Sequence, residues 1–461
     1  MKNHRRRPHT RRTSPPVLEC LHPAAAGIDC GSAEHWVAVP PDRDPDPVRP
    51  FTTFTADLHR LADWLTACRV THVAMESTGV YWIALYEILE ARGIQVVLVN
   101  ARHVKNLPGR KSDVADCEWL RDLHTLGLLR GSFRPTDQIV TLRSYLRHRT
   151  TLIADTSTLV QRMQKALVQM NLQLGLVVSD ITGLTGLRIL RAIVAGERDP
   201  ATLAAHRDRR CHASEAEIAA ALTGHYRPEH LFALAQHLAL FDYYHQQLVA
   251  CDTAIAAHLT QLTAATTAPT AALPAPRARH KPKANEPRFD IRTPVYQLTG
   301  ADLSQIDGIG PYNALRLVSE IGTDMTRWPS EKHFTSWLTL APHNQVSGGR
   351  LLSSRTQPSA NRAATLLRVA AMSLGRTDTA LGAFYRRLAY RVGKAKAITA
   401  TARKLAILIY RVLKNGLAYA DPGAAAYDRQ HRTHVVRRLR QRAGNFGYGL
   451  VDLATGELLE Q

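Results

Sequence analysis

The chain has 461 residues, and its 59 Lys and Arg against 39 Asp and Glu give a formal charge of +20 at pH 7. A chain this long implies about two to four folded units, and the charge imbalance points to a polyanionic partner, nucleic acid first, over a merely solubilising surface. Cys20, Cys30, Cys68, Cys117, Cys211 and Cys251 form no CxxC pair and no Cys/His cluster at zinc spacing, which argues against a disulfide scaffold or zinc finger, and no run of about 18 uncharged apolar residues offers a membrane span.

Residues 1–22 read as a disordered basic arm. Lys2 to Arg12 is followed by Ser14-Pro15-Pro16 where a secretory signal would have an apolar stretch, so a soluble, cytoplasmic protein is expected. The arm either touches phosphates or has no role.

Residues 23–135 alternate β-type and helical patterns. Strands are predicted at 24–30, 35–39, 51–54, 72–75 and 95–99, and helices at 56–68, 80–92 and 113–126. Three strands followed by strand–helix alternation imply a mixed sheet with helices on its faces, because parallel neighbours need helical crossovers.

Four acids stand out in this region. Asp29 follows an apolar run inside the first strand, where a carboxylate is costly unless a cation or hydrogen bonds compensate it. Glu76 ends the fourth strand, and Asp113 and Asp116 share one face at the start of a helix. Singly, each has a plain reading: Asp113 as a helix cap, Asp116 as a first-turn acid, Glu76 as a surface residue. Together they make an oxygen-only set suited to Mg²⁺ or Mn²⁺, and two such ions serve phosphodiester cleavage. Arg102, Lys105, Arg110 and Lys111 form a basic cluster beside them, fit to draw phosphates inward.

Residues 136–262 carry two long helical patterns with apolar spacing alternating near three and four, separated by a small helical insert at 176–226. The long helices pair either with each other as an antiparallel hairpin or with another protomer as a coiled coil. Residues 263–290 are rich in Ala, Thr and Pro and read as a flexible linker. Residues 291–418 are mainly helical. They open with a helix-hairpin-helix-like segment around Gly308-Ile309-Gly310, fit either for phosphate binding or simply for a turn. Ser347-Gly348-Gly349-Arg350 either presents a serine on an approachable turn beside a cation or is a plain polar loop, and Arg362 heads a Leu/Ala/Arg helix. Residues 419–461 are an arginine-rich tail.

Gly27-Ile28-Asp29, the run from Glu76 to Trp82, and the run from Val99 to Lys105 followed by Gly109 to Asp116 resemble the insertion-sequence 110 family of transposases. The four acids resemble the Asp-Glu-Asp-Asp site of Holliday-junction resolvases on the ribonuclease-H fold. Trp337-Leu338-Thr339-Leu340-Ala341-Pro342, Ser347-Gly348-Gly349-Arg350 and Ser359-Ala360-Asn361-Arg362 resemble that family's C-terminal domain. The resemblance implies an α/β plus α protein: a RuvC-like mixed sheet, a long helical or coiled-coil middle, and a mainly helical C-terminal domain.

It further implies a nucleoid-associated recombinase of donor and target DNA. Asp29, Glu76, Asp113 and Asp116 would hold two Mg²⁺ or Mn²⁺ ions, and Ser347 would be the covalent nucleophile, the two sites meeting on one strand across protomers of a dimer or tetramer. A structured guide RNA would choose the sites. Arg102, Lys105, Arg110, Lys111, Arg350 and Arg362 would contact nucleic acid. The match departs from the family at Val346, where a serine is usual, and at Leu351 to Arg355, where glycines are usual, which keeps Ser353, Ser354 and Ser359 as alternative nucleophiles. Two other readings stay open: a metal-dependent resolvase that hydrolyses with water, and a non-catalytic nucleic-acid-binding protein.

Overall fold

The computed structural model describes residues 20–77, 79–100, 113–277, 282–453 and 456. The chain divides into two compact units, residues 1–134 and 135–461.

The first unit runs β1 (Ala25–Cys30), β2 (Glu34–Ala38), β3 (Val48–Thr52), α1 (Thr55–Ala67), β4 (His72–Glu76), α2 (Ile83–Ala91), β5 (Gln95–Val99) and α3 (Asp113–Thr125). The strands lie in the order β3-β2-β1-β4-β5. The first three form an antiparallel meander, while β1–β4 and β4–β5 are parallel. The mixed sheet expected from the sequence is therefore present. The third strand lies earlier than the 51–54 expected, because the Phe54 carbonyl accepts from the Asp57 and Leu58 N–H groups and so belongs to the first turn of α1. Likewise α2 begins at Ile83 instead of residue 80, since residues 79–82 form a turn after β4.

Alternation along the strands sorts side chains onto two faces. Ala26, Ile28 and Cys30 join Val73 and Met75 in a core with Leu58, Leu61 and Leu65 of α1 and Leu85 and Leu89 of α2. On the other face Ala74 and Val99 pack on Leu120 of α3. Here Gly27 is indispensable: a Cβ at that position would lie 2.1 Å from the Cys117 carbonyl oxygen and 2.4 Å from the Arg121 nitrogen. Both are backbone atoms of a packed helix, so neither yields without moving α3. Gly27→Ala is therefore expected to destabilise this unit by about 3 kcal/mol, the upper range for overpacking. Thermal denaturation checks it, and an unchanged melting temperature would mean α3 is free to shift.

Among its described residues the second unit is mainly helical, with one β-hairpin. α4 (Asp137–Gln169) and α9 (Pro228–Ala264) pair with each other antiparallel, since His258 reaches the Gln138 carbonyl at 2.9 Å near one end and Leu159 and Met163 share a core with Leu234 and Leu238 near the other. Of the two pairings open from sequence, this is the intramolecular hairpin. Between them, α5 (Leu174–Val177), α6 (Leu184–Val194), α7 (Pro200–Ala204) and α8 (Glu215–Ala221) close the far end of the hairpin around Ile189, Ile193, Leu203 and Ile218.

The remaining elements are α10 (Arg292–Thr299), α11 (Pro311–Ile321), α12 (Glu331–Trp337), β6 (Gln345–Ser347), β7 (Arg350–Ser353), α13 (Arg362–Leu374), α14 (Ala380–Val392), α15 (Lys394–Asn415) and α16 (Ala424–Gly444). Arginines on α4 fasten the hairpin to this domain. Arg143 donates to the Ser319 and Glu320 carbonyls at the C-terminal end of α11, both at 2.9 Å, where cations are favoured by the helix dipole. Arg147 grips the Glu320 carboxylate with two bonds of 3.0 and 2.8 Å. Arg149, only 3% exposed, pairs with Asp252 at 2.5 Å and donates to the Asn285 carbonyl and the Tyr312 hydroxyl. A charge so deeply buried persists only with partners on every side.

From Ala265 onward the described part of the Pro/Ala-rich stretch has no regular structure, but it does not hang loose. The Tyr296 hydroxyl donates to the Ala271 carbonyl at 2.7 Å, Arg292 to the Pro274 carbonyl at 2.5 Å, and Gln305 to the Ala275 carbonyl at 3.0 Å. An irregular segment leaves its carbonyls unpaired by secondary structure, and these long donors satisfy them. Among the described residues no helix is long and apolar enough to cross a membrane.

Candidate active site

The first candidate centre lies at the C-terminal ends of β1 and β4. The parallel register pairs Ile28 with Met75, so Asp29 and Glu76 occupy the next position on neighbouring strands. Two residues beyond Gly27 and Ala74 respectively, both project toward the face covered by α3. Glu76 is only 8% exposed, and Asp29 is half-buried.

The direction of α3 follows from its neighbours. The Cys117 carbonyl lies over Gly27, while His124, near the helix C-terminus, stacks on His22 with ring centroids 4.8 Å apart and lies 6.0 Å from His72 at the start of β4. The helix thus runs against β1 and β4, and its N-terminal turns lie toward the strand ends that carry Asp29 and Glu76. Asp116 is half-buried in those turns. Asp113 opens the helix, but its side chain lies outside the described residues.

Two thiols register the acids electrostatically. Burial pushes the Cys30 thiol well above its usual range, and Asp29 and then Glu76 push it further. Cys117 of α3 is pushed up to about 12, by burial first and by Asp29 among the lesser causes. With no metal bound, burial and the neighbouring acids therefore keep both thiols protonated at physiological pH. Cys117 donates to the Val114 carbonyl.

Asp29 and Glu76 are therefore brought onto one face. Among the described residues no three His, Cys, Asp or Glu side chains are placed to hold one ion, and the Asp113 side chain is not among those described. What is present is an oxygen-only pair on rigid strand ends, donor chemistry that suits a hard divalent cation. Arg102, Lys105, Arg110 and Lys111 lie outside the described residues. Trp36 is a neighbour that sequence reading missed: it pairs directly with Asp29 across β1 and β2. Period-two counting on both strands could have found it, had the register been known.

The histidine cluster at the opposite end of α3 carries a pH consequence. His124 is 4% exposed and its Nε2 has no hydrogen-bond partner among the described residues; burial first, then His22 and His72, depress its pKa to about 4. The folded state thus binds a proton less readily than the unfolded chain. Stability is full above the unfolded value near 6.5 and is lost as pH falls toward 4, by on the order of 2 kcal/mol after partial screening. His124→Leu should flatten this acid limb, as thermal melts at pH 7 and pH 4.5 would reveal; an equal acid loss in both proteins would refute the assignment.

The second candidate centre is the β6–β7 hairpin. Ser347 pairs with Arg350 across a two-residue turn in which Gly348 and Gly349 have φ of 54° and 76°. Both values are left-handed, the geometry of a tight hairpin turn for which glycine is preferred. A Cβ at either glycine would meet nothing within 4 Å, so the tip stands open. Ser347 and Arg350 are exposed, as are Val346, Leu351 and Leu352.

The alternative serines are differently placed. The Ser353 hydroxyl oxygen accepts from the Arg355 N–H at 3.3 Å, and that of Ser359 from the Asn361 N–H at 3.0 Å, so both take part in local turns. Ser354 is exposed next to Ser353. Asn361 caps α13 by accepting from the Ala364 N–H at 3.0 Å, which leaves Arg362 exposed in the first turn.

The glycine hairpin before α11 is a packing element. A Cβ on Gly308, whose φ is 82°, would come within 3.2 Å of the Ala370 carbonyl and Leu374 of α13. Its acid Asp307 holds Arg277 at 3.0 Å and accepts from the Tyr419 hydroxyl at 3.2 Å. Two cations beside this turn are paired, Arg277 with Asp307 and Arg292 with Asp302.

Residues 26–172 match the DEDD IS110 family model, described as a transposase. Residues 300–386 match a second model, described as the transposase of the IS116/IS110/IS902 family. The first span holds Asp29, Glu76, Asp113 and Asp116, and the second holds Ser347, Arg350 and Arg362. No curated protein matches the chain.

Proposed function

The chain belongs to the IS110 family of transposases, enzymes that act on DNA, and from that premise we propose that it cuts and rejoins DNA of a mobile insertion sequence through a covalent serine link. The DEDD type of the N-terminal match points to use of a divalent metal. The observation that carries the reading is the placement of Asp29 and Glu76 at adjacent strand ends on the face toward which Asp113 and Asp116 begin α3.

In this proposal Asp29, Glu76, Asp113 and Asp116 hold the metal, Mg²⁺ or Mn²⁺ and as two ions. When bound, it supplies Lewis-acid stabilisation to the oxygen leaving phosphorus. Ser347 attacks the phosphodiester: the Oγ–P bond forms as the P–O3′ bond breaks, the hydroxyl proton passes to water, and the leaving 3′ oxygen takes one up. Arg350, its neighbour across the hairpin, neutralises the phosphate. Attack by a 3′ hydroxyl of a new partner reverses the step and frees Ser347, so rejoining needs no nucleotide cofactor. The open glycine tip supports the role, since a phosphodiester must approach the serine closely.

The charge of +20 supports a second polyanion beside DNA, and we assign it to a structured guide RNA held through its phosphates. Two duplexes joined at once call for at least two protomers. The test is a protein–DNA adduct that survives denaturation and disappears with Ser347; complete strand cleavage without an adduct would favour a hydrolytic resolvase.

A further inference from the structure

Outside both matched segments lies α16, which carries Arg429, Arg432, Arg437, Arg438, Arg440 and Arg442 against a single acid, Asp428. Only Ala424 of its 21 residues is buried. Arg429, Arg432, Arg437, Arg438 and Arg442 are all exposed, and among the described residues none of these five is ion-paired to an acid.

The helix is moored near its start. The Tyr427 ring meets Phe384 edge-on at 6.2 Å, and Arg387 of α14 reaches the Tyr427 hydroxyl at 2.9 Å and the His431 ring at 3.2 Å. His431 is held below its usual pKa by burial first and then by Arg387, His434 and Arg391, so α14 adds positive charge to the same surface.

A helix this polar gains little from packing, and it also bears like charges one turn apart at Arg429/Arg432 and Arg438/Arg442. Each such pair costs a few tenths of a kcal/mol. Asp428 is the one acid on the helix to offset that repulsion; a row of phosphates would relieve it along the whole length. At about 100° per residue the exposed arginines ring the helix and do not form one stripe, so they reach phosphates on both walls of a groove. The form of duplex follows from size. A helix about 10–12 Å across with its side chains fits the major groove of B-form DNA, about 12 Å wide, whereas the major groove of A-form RNA is too narrow and deep.

We propose that α16 is a DNA-binding element that lies in the major groove of B-form duplex and holds it through phosphate contacts. This rests on DNA as the substrate but on neither Ser347 nor the acids. Binding needs no catalysis, so a chain that binds DNA through α16 yet makes no adduct would fail the reading above and leave this one standing.

The test uses the full chain with Arg429, Arg432, Arg437, Arg438 and Arg442 all changed to Gln, titrated with a duplex DNA and a duplex RNA of equal length over a range of salt. Five lost phosphate contacts should make the log–log salt dependence for DNA shallower by about 4 to 5. Affinity near 0.15 M salt should fall by roughly 100-fold, with RNA binding little changed and the corresponding Lys variant retaining the slope. An unchanged DNA slope, or a loss confined to RNA, overturns the proposal. Should the Gln variant misfold, hydrogen exchange on the unaltered protein decides instead: duplex DNA should protect the amides of 424–444, and no protection refutes the assignment.

Discussion

Ser347→Ala is expected to abolish the denaturation-resistant protein–DNA adduct while leaving DNA binding within about twofold. The argument is one of chemistry and placement. The hydroxyl sits at an open hairpin tip, and alanine removes only its oxygen, so neither the turn nor the neighbouring Arg350 should move. Loss of a covalent nucleophile removes the step outright, an effect of at least roughly 10⁴-fold, or above about 5 kcal/mol in barrier. Denaturing gels of end-labelled duplex, with and without protease, separate adduct from free strand. Undiminished cleavage by Ser347→Ala would make the serine incidental and water the nucleophile. A residual adduct mapped by peptide sequencing to Ser353, Ser354 or Ser359 would move the role to that residue.

Asp29→Asn and Glu76→Gln should each lower strand cleavage by roughly 10³-fold or more, about 4 kcal/mol, while salt-dependent DNA binding persists. Both substitutions keep size and hydrogen-bonding capacity but remove the charge that a divalent ion needs. The same loss should follow chelation of divalent ions from the unaltered protein and reverse on adding Mg²⁺. Because Glu76 is buried in the sheet, thermal melts must accompany the assay; a cleavage defect with an unchanged melt locates the effect in chemistry. Full cleavage by Asp29→Asn would remove the metal centre from this end of the sheet, and a chain that binds DNA but cleaves none in any form would be a binding protein.

Much of the architecture was legible from residue pattern. The alternation of short β-type runs with helical patterns, and the three-and-four spacing in α4 and α9, sufficed to predict a mixed sheet followed by long helices. Boundaries were less legible where a turn competes with a strand or helix, as at Phe54 and at residues 80–82. The partner of the long helices was not legible at all, because an apolar stripe is the same whether a second helix comes from this chain or another copy. The composition of the linker likewise gave no sign that Tyr296, Arg292 and Gln305 would bind its carbonyls.

The sequence by itself determined which chemistries were available: carboxylates at a strand centre, a strand end and a helix start, a serine before two glycines, and a large excess of arginine and lysine. Those are matters of residue identity and local spacing. Only the tertiary structure decided that Asp29 and Glu76 fall at matching register on parallel neighbours, that α3 runs against them with its backbone close over Gly27, and that Asp307 in the turn before α11 pairs with Arg277. The reason is physical: register, helix direction and charge pairing depend on residues far apart in the chain, and one position of slip in β4 would have turned Glu76 to the other face.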